Sequence, residues 1–532
     1  MNSQHVFFKV LVRASLFLVP VAFGIYSVTL GQDTNWDLLN YHLYNAYSFL
    51  NDRLDVDLAP AGLQTYFNPF LDVAYYSAIT SLTPKTFGFF LGLIQGFNFI
   101  LLYKIATIIL KARQHAHYYS IFLALCGVLS VGFLSETGTM LNDSLIAIFP
   151  LVSLWLILSK ISDVVEGQRG AKLFVFGSGL IMGIGCGLKL VVGIYALGLC
   201  LALLLIPLNW NKRVFLSFLF GVAVIAGLAV SGGDWFYTIW REFGNPLFPQ
   251  YNDIFHGKMA QPLPVRDLRF VPHNLFETFF YPVIFTIDPL RVAELPFKQL
   301  SWIVAYIFLL FFLTHRIIIW FRKEKRVSMN PASVLFIGFF CFSYLLWLNI
   351  FGIYRYLIPV EVLVPLLIYL VISEFFMVEK VLWGALVFIA ALTVVNLRSV
   401  PNWGHSHWAD TVYSLQGRES ISEVAVVYLV GQPLAWIVPA LHIKAQFIQL
   451  APNIPLSDYY WQRAESIVKN QNGRRIVVFE SEDSELKVRA RDGLARLGLA
   501  MYENKSGRLD GYIGTRKYEY KFFEVMEADK LR

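Results

Sequence analysis

About eleven apolar runs, each near the length of a membrane span, divide most of this 532-residue chain. They fall at roughly 9–30, 86–110, 119–135, 143–159, 172–188, 190–208, 214–232, 300–320, 331–350, 358–377 and 380–396. A helix needs about 20 apolar residues to cross the hydrocarbon core. Runs in this number therefore commit the chain to a mainly α, polytopic helical membrane domain. The count is open by one, because 172–208 is almost continuously apolar and is interrupted only by Gly187-Leu188-Lys189. Two short helices joined by a tight turn fit that stretch better than one very long helix. The segment at 9–30 lacks a small-residue cleavage site and is longer than an ordinary signal-peptide core, so it reads as a first span.

Charge divides the chain in two. Charged residues make up 15% of the whole, against about 25% in a soluble domain. The last 136 residues nevertheless hold 18 basic and 16 acidic residues, an ordinary soluble density. The expected organisation is a transmembrane domain over 1–396, with long exterior loops at about 31–85 and 233–299, followed by a soluble exterior α/β domain over 397–532. The 56% hydrophobic content excludes disorder and a coiled coil. The four cysteines lie inside apolar runs and form no disulfide or metal framework.

The net charge of +7 is a topology signal, and it does not point to nucleic acid. With the N-terminus inside, one set of short loops receives Lys9 and Arg13, Lys111 and Arg113, Lys160, Arg169 and Lys172, then Lys212 and Arg213. The same side receives the cluster Arg316, Arg322, Lys323, Lys325 and Arg326, and Lys380. The first opposite loop carries six Asp against Arg53 and Lys85. This pattern predicts a multi-pass protein of the cell (inner) membrane with a cytoplasmic N-terminus. An odd span count puts the C-terminal domain on the exterior, periplasmic side.

Polar chemistry concentrates in the exterior segments. In the first loop, apolar residues recur at helical spacing from Leu38 to Leu50, which predicts an amphipathic helix along the membrane surface. Asp37 stands at its start beside Asn40, Tyr41 and His42. A carboxylate there serves as a general base or as a helix cap, a role Asn35 can also fill, and spacing leaves both readings open. Glu136 and Asp143 flank a short exterior loop, where Asn142 or Asp143 can equally cap the next span. Lys189 sits in the apolar turn. Arg355, between Tyr354 and Tyr356, is either a donor to a phosphate or an interfacial arginine among aromatics. His405 and His407 lie near Trp403 and Trp408 just beyond the last span and read as part of an interfacial aromatic belt. In the tail, strand-like runs at Val424–Val430, 475–480 and 518–525 alternate with a helix-like run at 485–499, and Gly431-Gln432-Pro433 introduces a loop and short helix. No Walker A loop, dinucleotide fingerprint or nucleophile elbow is present.

The order and placement of several short motifs resemble the GT-C membrane glycosyltransferases. The protein O-mannosyltransferase (family 39-like) and aminoarabinose-transferase group is similar, and the bacterial family 87-like enzymes more so. The matching elements are Asp37-Leu-Leu-Asn-Tyr41-His42, Thr65-Tyr-Phe-Asn-Pro69, Glu136 through Asp143, Gly244-Asn-Pro-Leu-Phe-Pro249 and Arg355-Tyr356. The Asp-Glu pair of the mannosyltransferase group is absent, since Leu38 follows Asp37. The resemblance implies a polyprenyl-phosphate-linked sugar donor, a glycan, lipid or protein acceptor, and inversion at the anomeric carbon. It makes Asp37 the general base and Tyr41, His42, Lys189, Arg355 and Tyr356 substrate contacts. Glu136 and Asp143 become acidic partners of a divalent cation (Mg2+ or Mn2+) in those members that use one. The competing reading is a multi-span transporter or flippase for a lipid-linked substrate. Such proteins place ionisable groups at mid-membrane, often in repeated halves; here the runs carry little beyond Lys104 and Lys189. Whether the tail recognises the acceptor or covers a cavity is not decided by sequence.

Overall fold

Among the described residues, seven helices are long and apolar enough to cross a membrane: Val10–Leu30, Pro84–Ile109, Ala171–Leu188, Trp210–Phe243, Leu300–Ile319, Pro331–Ile350 and Glu379–Leu397. The computed structural model describes residues 3–322, 329–452, 455–481 and 483–531. Lys323, Lys325 and Arg326 of the expected cytoplasmic cluster lie outside them, as does the side chain of Lys9. An eighth element is broken rather than straight: Tyr354–Glu361 and Val364–Phe375 meet at 47°. Pro365 in the first turn of the second piece has no N–H to continue the helix. Three further apolar runs form the shorter helices Ala116–Val128, Asp143–Ser159 and Leu190–Leu203. The 13 residues of Ala116–Val128 rise only about 20 Å, less than a bilayer core. As expected, the chain turns at Lys189, between Ala171–Leu188 and the 3-10 turn Leu190–Val192.

Small residues let the helices approach closely. Gly88, Gly92 and Gly96 repeat every four residues on one face of Pro84–Gly96. A Cβ on Gly92 would stand 2.5 Å from the Phe23 carbonyl oxygen, and one on Gly96 2.7 Å from Pro20 Cα. Gly179 and Gly183 likewise press against the Phe220 and Val224 carbonyls of Trp210–Phe243. Such small-residue seams join helices where lipid supplies no hydrophobic drive. Outward faces carry Phe17, Leu173, Phe218, Ile225, Val230, Phe311 and Val387, the apolar surface a bilayer requires.

Two loop expectations change. Trp210–Phe243 has 34 residues, about 51 Å of helix, so it continues well past 232 and the second loop begins at Gly244. That loop contains the apolar helix Leu275–Ile287. In the first loop, the expected surface helix is a wide π turn, Leu38–His42, followed by the helix Leu43–Leu50. It does not lie on a membrane surface: from Leu38 to Ala46 every residue is buried, the polar ones included. The tail covers it, with the Trp436 N–H donating to the Leu39 carbonyl at 3.1 Å.

The tail is a six-stranded sheet in the order Tyr413–Gln416, Leu499–Ile513, Arg516–Glu527, Arg474–Glu480, Val424–Leu429, Gln446–Gln449. Its three last-named strands are parallel and the others antiparallel. The expected helix at 485–499 ends sooner, as Ser484–Arg496, because Gly498 takes φ +69° and Leu499 opens a strand. The first loop joins this sheet at its edge: the Leu58 N–H donates to the Phe447 carbonyl, and the Gln449 N–H to that of Leu58. Arg53, paired with Asp57 at 2.6 Å, also donates to the Ala445 carbonyl. Trp403 and Trp408 also act as structural anchors. Their indole N–H groups donate to Ser135 Oγ (3.0 Å) and the Val28 carbonyl (2.9 Å).

Candidate active site

Beyond the first span the chain makes an Asx-like turn. Asp33 Oδ1 accepts the Asn35 N–H, and Asn35 Oδ1 accepts the Leu38 N–H at 2.9 Å. Asn35 is therefore the cap, and Asp37 makes no capping bond. Asp37 Oδ2 instead accepts Arg355 Nη1 at 2.6 Å and the Tyr41 hydroxyl at 3.2 Å. Burial alone would raise the Asp37 carboxyl; Arg355, with His42 and Lys189, overcomes this and holds it below the ordinary carboxylate value.

Arg355 lies on the 3-10 turn Tyr354–Leu357, where the broken helix starts. Its Nη1 is also 3.8 Å from Asp143 Oδ2. Lys189 closes the same cluster, its Nζ donating to Asp143 Oδ1 and, at 2.9 Å, to the Leu141 carbonyl. Both cations stand over the Tyr356 ring, at 5.4 Å for Lys189 and 5.1 Å for Arg355. The supports are local. The Asn68 amide donates to the Gly187 carbonyl (2.8 Å) and the Ser231 carbonyl (2.9 Å), fixing the helix end just before Lys189. Asn142, in the left-handed region at φ +74°, turns the chain into Asp143 and accepts the Tyr75 hydroxyl.

Glu136 sits one layer deeper. Its Oε2 accepts the Ser144 N–H at 2.8 Å, and burial, then Asp143, raises its carboxyl well above the ordinary value. As arranged, Asp143 faces two cations and Glu136 a backbone amide, while Glu136 Oε1 and Asp143 Oδ2 have no hydrogen-bond partner among the described residues. Among the described residues no group of three His, Cys, Asp or Glu side chains is placed to hold a metal ion.

The cluster borders a cavity of about 580 Å³, within the range of small-molecule sites. One wall is polar, with Tyr41, His42, Asp72, Asn142, Lys189, Arg355 and Tyr356. The other is apolar, with Leu188, Leu190, Val191, Phe236, Ile350 and Phe351. Pro246, Leu247 and Phe248 of the second loop complete it. Asp37 and Asp143 lie behind the cations and do not line it. The structure thus brings together the sequence candidates Asp37, Tyr41, His42, Asp143, Lys189, Arg355 and Tyr356, with Glu136 beneath. Asp72 and the support roles of Asn68 and Asn142 are additions that sequence reasoning misses. His42 Nδ1 meets Asp72 Oδ1 at 2.6 Å, and both side chains are buried. Burial raises the Asp72 carboxyl, with His42 and Lys189 opposing. A lone acid in the otherwise apolar, aromatic run Phe70–Ser81 is the available signal.

No family model matches this chain, and no curated protein sequence matches it. Among solved structures, the crystal structure of ArnT from Cupriavidus metallidurans in the apo state is similar over 98% of this chain and 98% of its own. The TM-score is 0.52 and the identity 13%. At that identity the likeness speaks for the fold alone: an ArnT-like architecture, with a helical domain followed by a small sheet-containing C-terminal domain.

Proposed function

We propose that this protein is an integral membrane glycosyltransferase. In this reading it moves a hexosyl or pentosyl group from a polyprenyl-phosphate donor to a glycan, lipid or protein acceptor, with inversion, at the exterior face of the cell (inner) membrane. The observation that carries it is the amphiphilic cavity: two fixed cations over one aromatic ring on one wall, apolar side chains on the other. A phosphodiester donor needs charge-assisted hydrogen bonds as its glycosyl bond breaks. Lys189 and Arg355 suit that need, while the apolar wall suits the isoprenoid beside it. The GT-C fold supports the reading.

Arg355 is held by Asp37. A donor phosphate competes for the guanidinium and frees Asp37 Oδ2 to hydrogen-bond the acceptor hydroxyl. The same event removes the charge that depresses the Asp37 carboxyl, making it more basic as the donor arrives. The acceptor oxygen then attacks the anomeric carbon from the side opposite the phosphate. Asp37 thus works on the acceptor and is coupled to donor binding through Arg355. The transporter reading finds less support, because the ionisable residues gather at loop and turn ends around one cavity.

The test uses purified protein in lipid with a panel of polyprenyl-phosphate sugars, reading release of polyprenyl phosphate. Asp37→Asn is expected to abolish release while membrane insertion persists. Near-normal release by that variant would overturn the role of Asp37. No release by the wild type with any donor would overturn the transferase.

A further inference from the structure

The cavity wall holds a second acid-bearing pair that the reading above does not use. Within the wide π turn that begins just after Asp37, the chain places His42 with its imidazole against Asp72 of the neighbouring helix Phe70–Ser81. The 2.6 Å contact between Nδ1 and Oδ1 is short, and both partners are buried on the cavity wall. An ionised carboxylate offers only lone pairs. With Asp72 ionised, a neutral ring carries its hydrogen on Nδ1 and a lone pair on Nε2. That Nε2 is buried and has no hydrogen-bond partner among the described residues. A buried polar nitrogen without a partner is costly and uncommon, and in a residue that borders a cavity it is a group a bound ligand can satisfy after a small shift of the wall. Asp37, by contrast, sits behind Arg355, and its Oδ2 already accepts from both Arg355 Nη1 and the Tyr41 hydroxyl.

We infer that His42, oriented by Asp72, takes the proton of the acceptor hydroxyl. The proposal rests on the glycosyl-transfer reading and divides its acceptor chemistry between two groups. Asp37 orients the hydroxyl, and His42 Nε2 receives its hydrogen. The acceptor oxygen bonds to the anomeric carbon while the bond from that carbon to the phosphate oxygen breaks. Its electron pair leaves with the polyprenyl phosphate, held by Lys189 and Arg355, and the proton ends on His42 as imidazolium. Asp72 is a positioning residue: it fixes the tautomer and stabilises the imidazolium without touching substrate. The charged and titratable groups around the ring are Asp72 from its own helix, Asp37 and Tyr41 from the same turn, and Lys189, Arg355 and Tyr356 from the other elements of the same polar wall.

The experiment is the pH–rate profile of sugar transfer with a saturating donor, between about pH 5 and 9. An imidazole base loses activity as it protonates, so the wild type is expected to show an acid limb within that range. His42→Gln should lower transfer by roughly 100-fold or more, the usual contribution of a general base, and should remove the limb. Binding of polyprenyl phosphate to that variant should stay within about threefold. Asp72→Asn should lower the plateau and move the limb to lower pH, because the imidazolium loses its counter-charge; a merely structural role would lower the plateau and leave the limb in place. Transfer by the wild type with no acid limb, transfer by His42→Gln within threefold of wild type, or an unmoved limb in Asp72→Asn would each overturn the dyad and leave the transferase standing. If either variant fails to fold, the wild-type limb alone still decides. No transfer from any donor would sink both readings, which separates the two failures.

Discussion

Replacing Arg355 by Met tests whether its pairing with Asp37 holds this end of the molecule together. The 2.6 Å contact is worth about 6 kcal/mol of gross Coulomb attraction at an effective dielectric near 20. Most of that gain is offset by the desolvation of two buried charges, so the net worth of the intact pair is small. Removing one partner is a different matter. It leaves Asp37 buried beside Asp72 and without the group that opposes its desolvation, a situation that costs about 3–5 kcal/mol. The pH dependence identifies the cause. In the wild type the Asp37 carboxyl is lowered; its contribution is present above the unfolded carboxylate value and is lost only as pH falls through the lower folded value. In Arg355→Met burial raises the same carboxyl, so the penalty is greatest at neutral and higher pH and shrinks as pH falls and Asp37 protonates. The assay is thermal unfolding in one detergent at one scan rate, wild type against Arg355→Met, from pH 8 to pH 5. The Tm deficit should narrow towards pH 5, and adding Asp37→Asn should recover part of it at pH 8. A deficit that is constant with pH and unrelieved by Asp37→Asn would refute the reasoning and assign the loss to packing of the guanidinium stem.

Two other substitutions test the supports of the site. Asn68→Ala removes the amide that serves the helix-end Gly187 carbonyl and the mid-helix Ser231 carbonyl, leaving both without it at a cost of about 1–3 kcal/mol; because Lys189 lies just beyond Gly187, the KM for donor should rise at least several-fold with a smaller change in kcat, read by steady-state release of polyprenyl phosphate. Glu136→Gln keeps an acceptor for the Ser144 N–H and removes a carboxyl whose folded pKa is raised, a group that destabilises increasingly as pH rises; the variant should therefore gain in Tm over wild type from pH 5 to pH 8.

Membrane organisation is legible in the sequence because hydropathy reports the one demand lipid makes on every span. Breaks inside spans are less legible. A bend such as that before Val364–Phe375 depends on where Pro365 falls relative to helix register, and the apolar run reads through it. The site is legible in its charged residues, since an acid or a base amid apolar neighbours stands out: Asp37, Lys189 and Arg355 do. What cannot be read is who faces whom. Periodicity assigns Leu38–Leu50 to a membrane surface on the rule that a polar face meets water. Here that face meets the rest of the first loop, where Asn40 and Asn45 donate to the Ala61 and Gln64 carbonyls and His42 meets the Asp72 carboxylate. Asp72 stays hidden for the same reason, as its significance lies in a contact thirty residues away in sequence. In the tail, the long hairpin strands at 499–527 are hard to recognise because their pairing shifts register between Tyr502 and Ser506, which spoils simple alternation.

That covered face also bears on the two roles open to the tail. A module that only recognises acceptors would dock through a small, separable surface. Instead one continuous apolar core contains Val426, Tyr428 and Ile448 of the sheet together with Tyr66, Trp235, Phe243 and Phe248 of the membrane domain and its loops. Tyr66 and Phe248 are themselves cavity wall. The second loop is gripped as well, with the Gln261 N–H donating to the Pro455 carbonyl at 2.8 Å and Ala260 bridged to Leu456. The first loop, which carries Asp37 and His42, is clamped through Leu58 and the Arg53–Asp57 pair. Every element that lines the cavity from the tail-bearing side is therefore packed on the tail itself. Its packing thus contributes to the shape of that cavity.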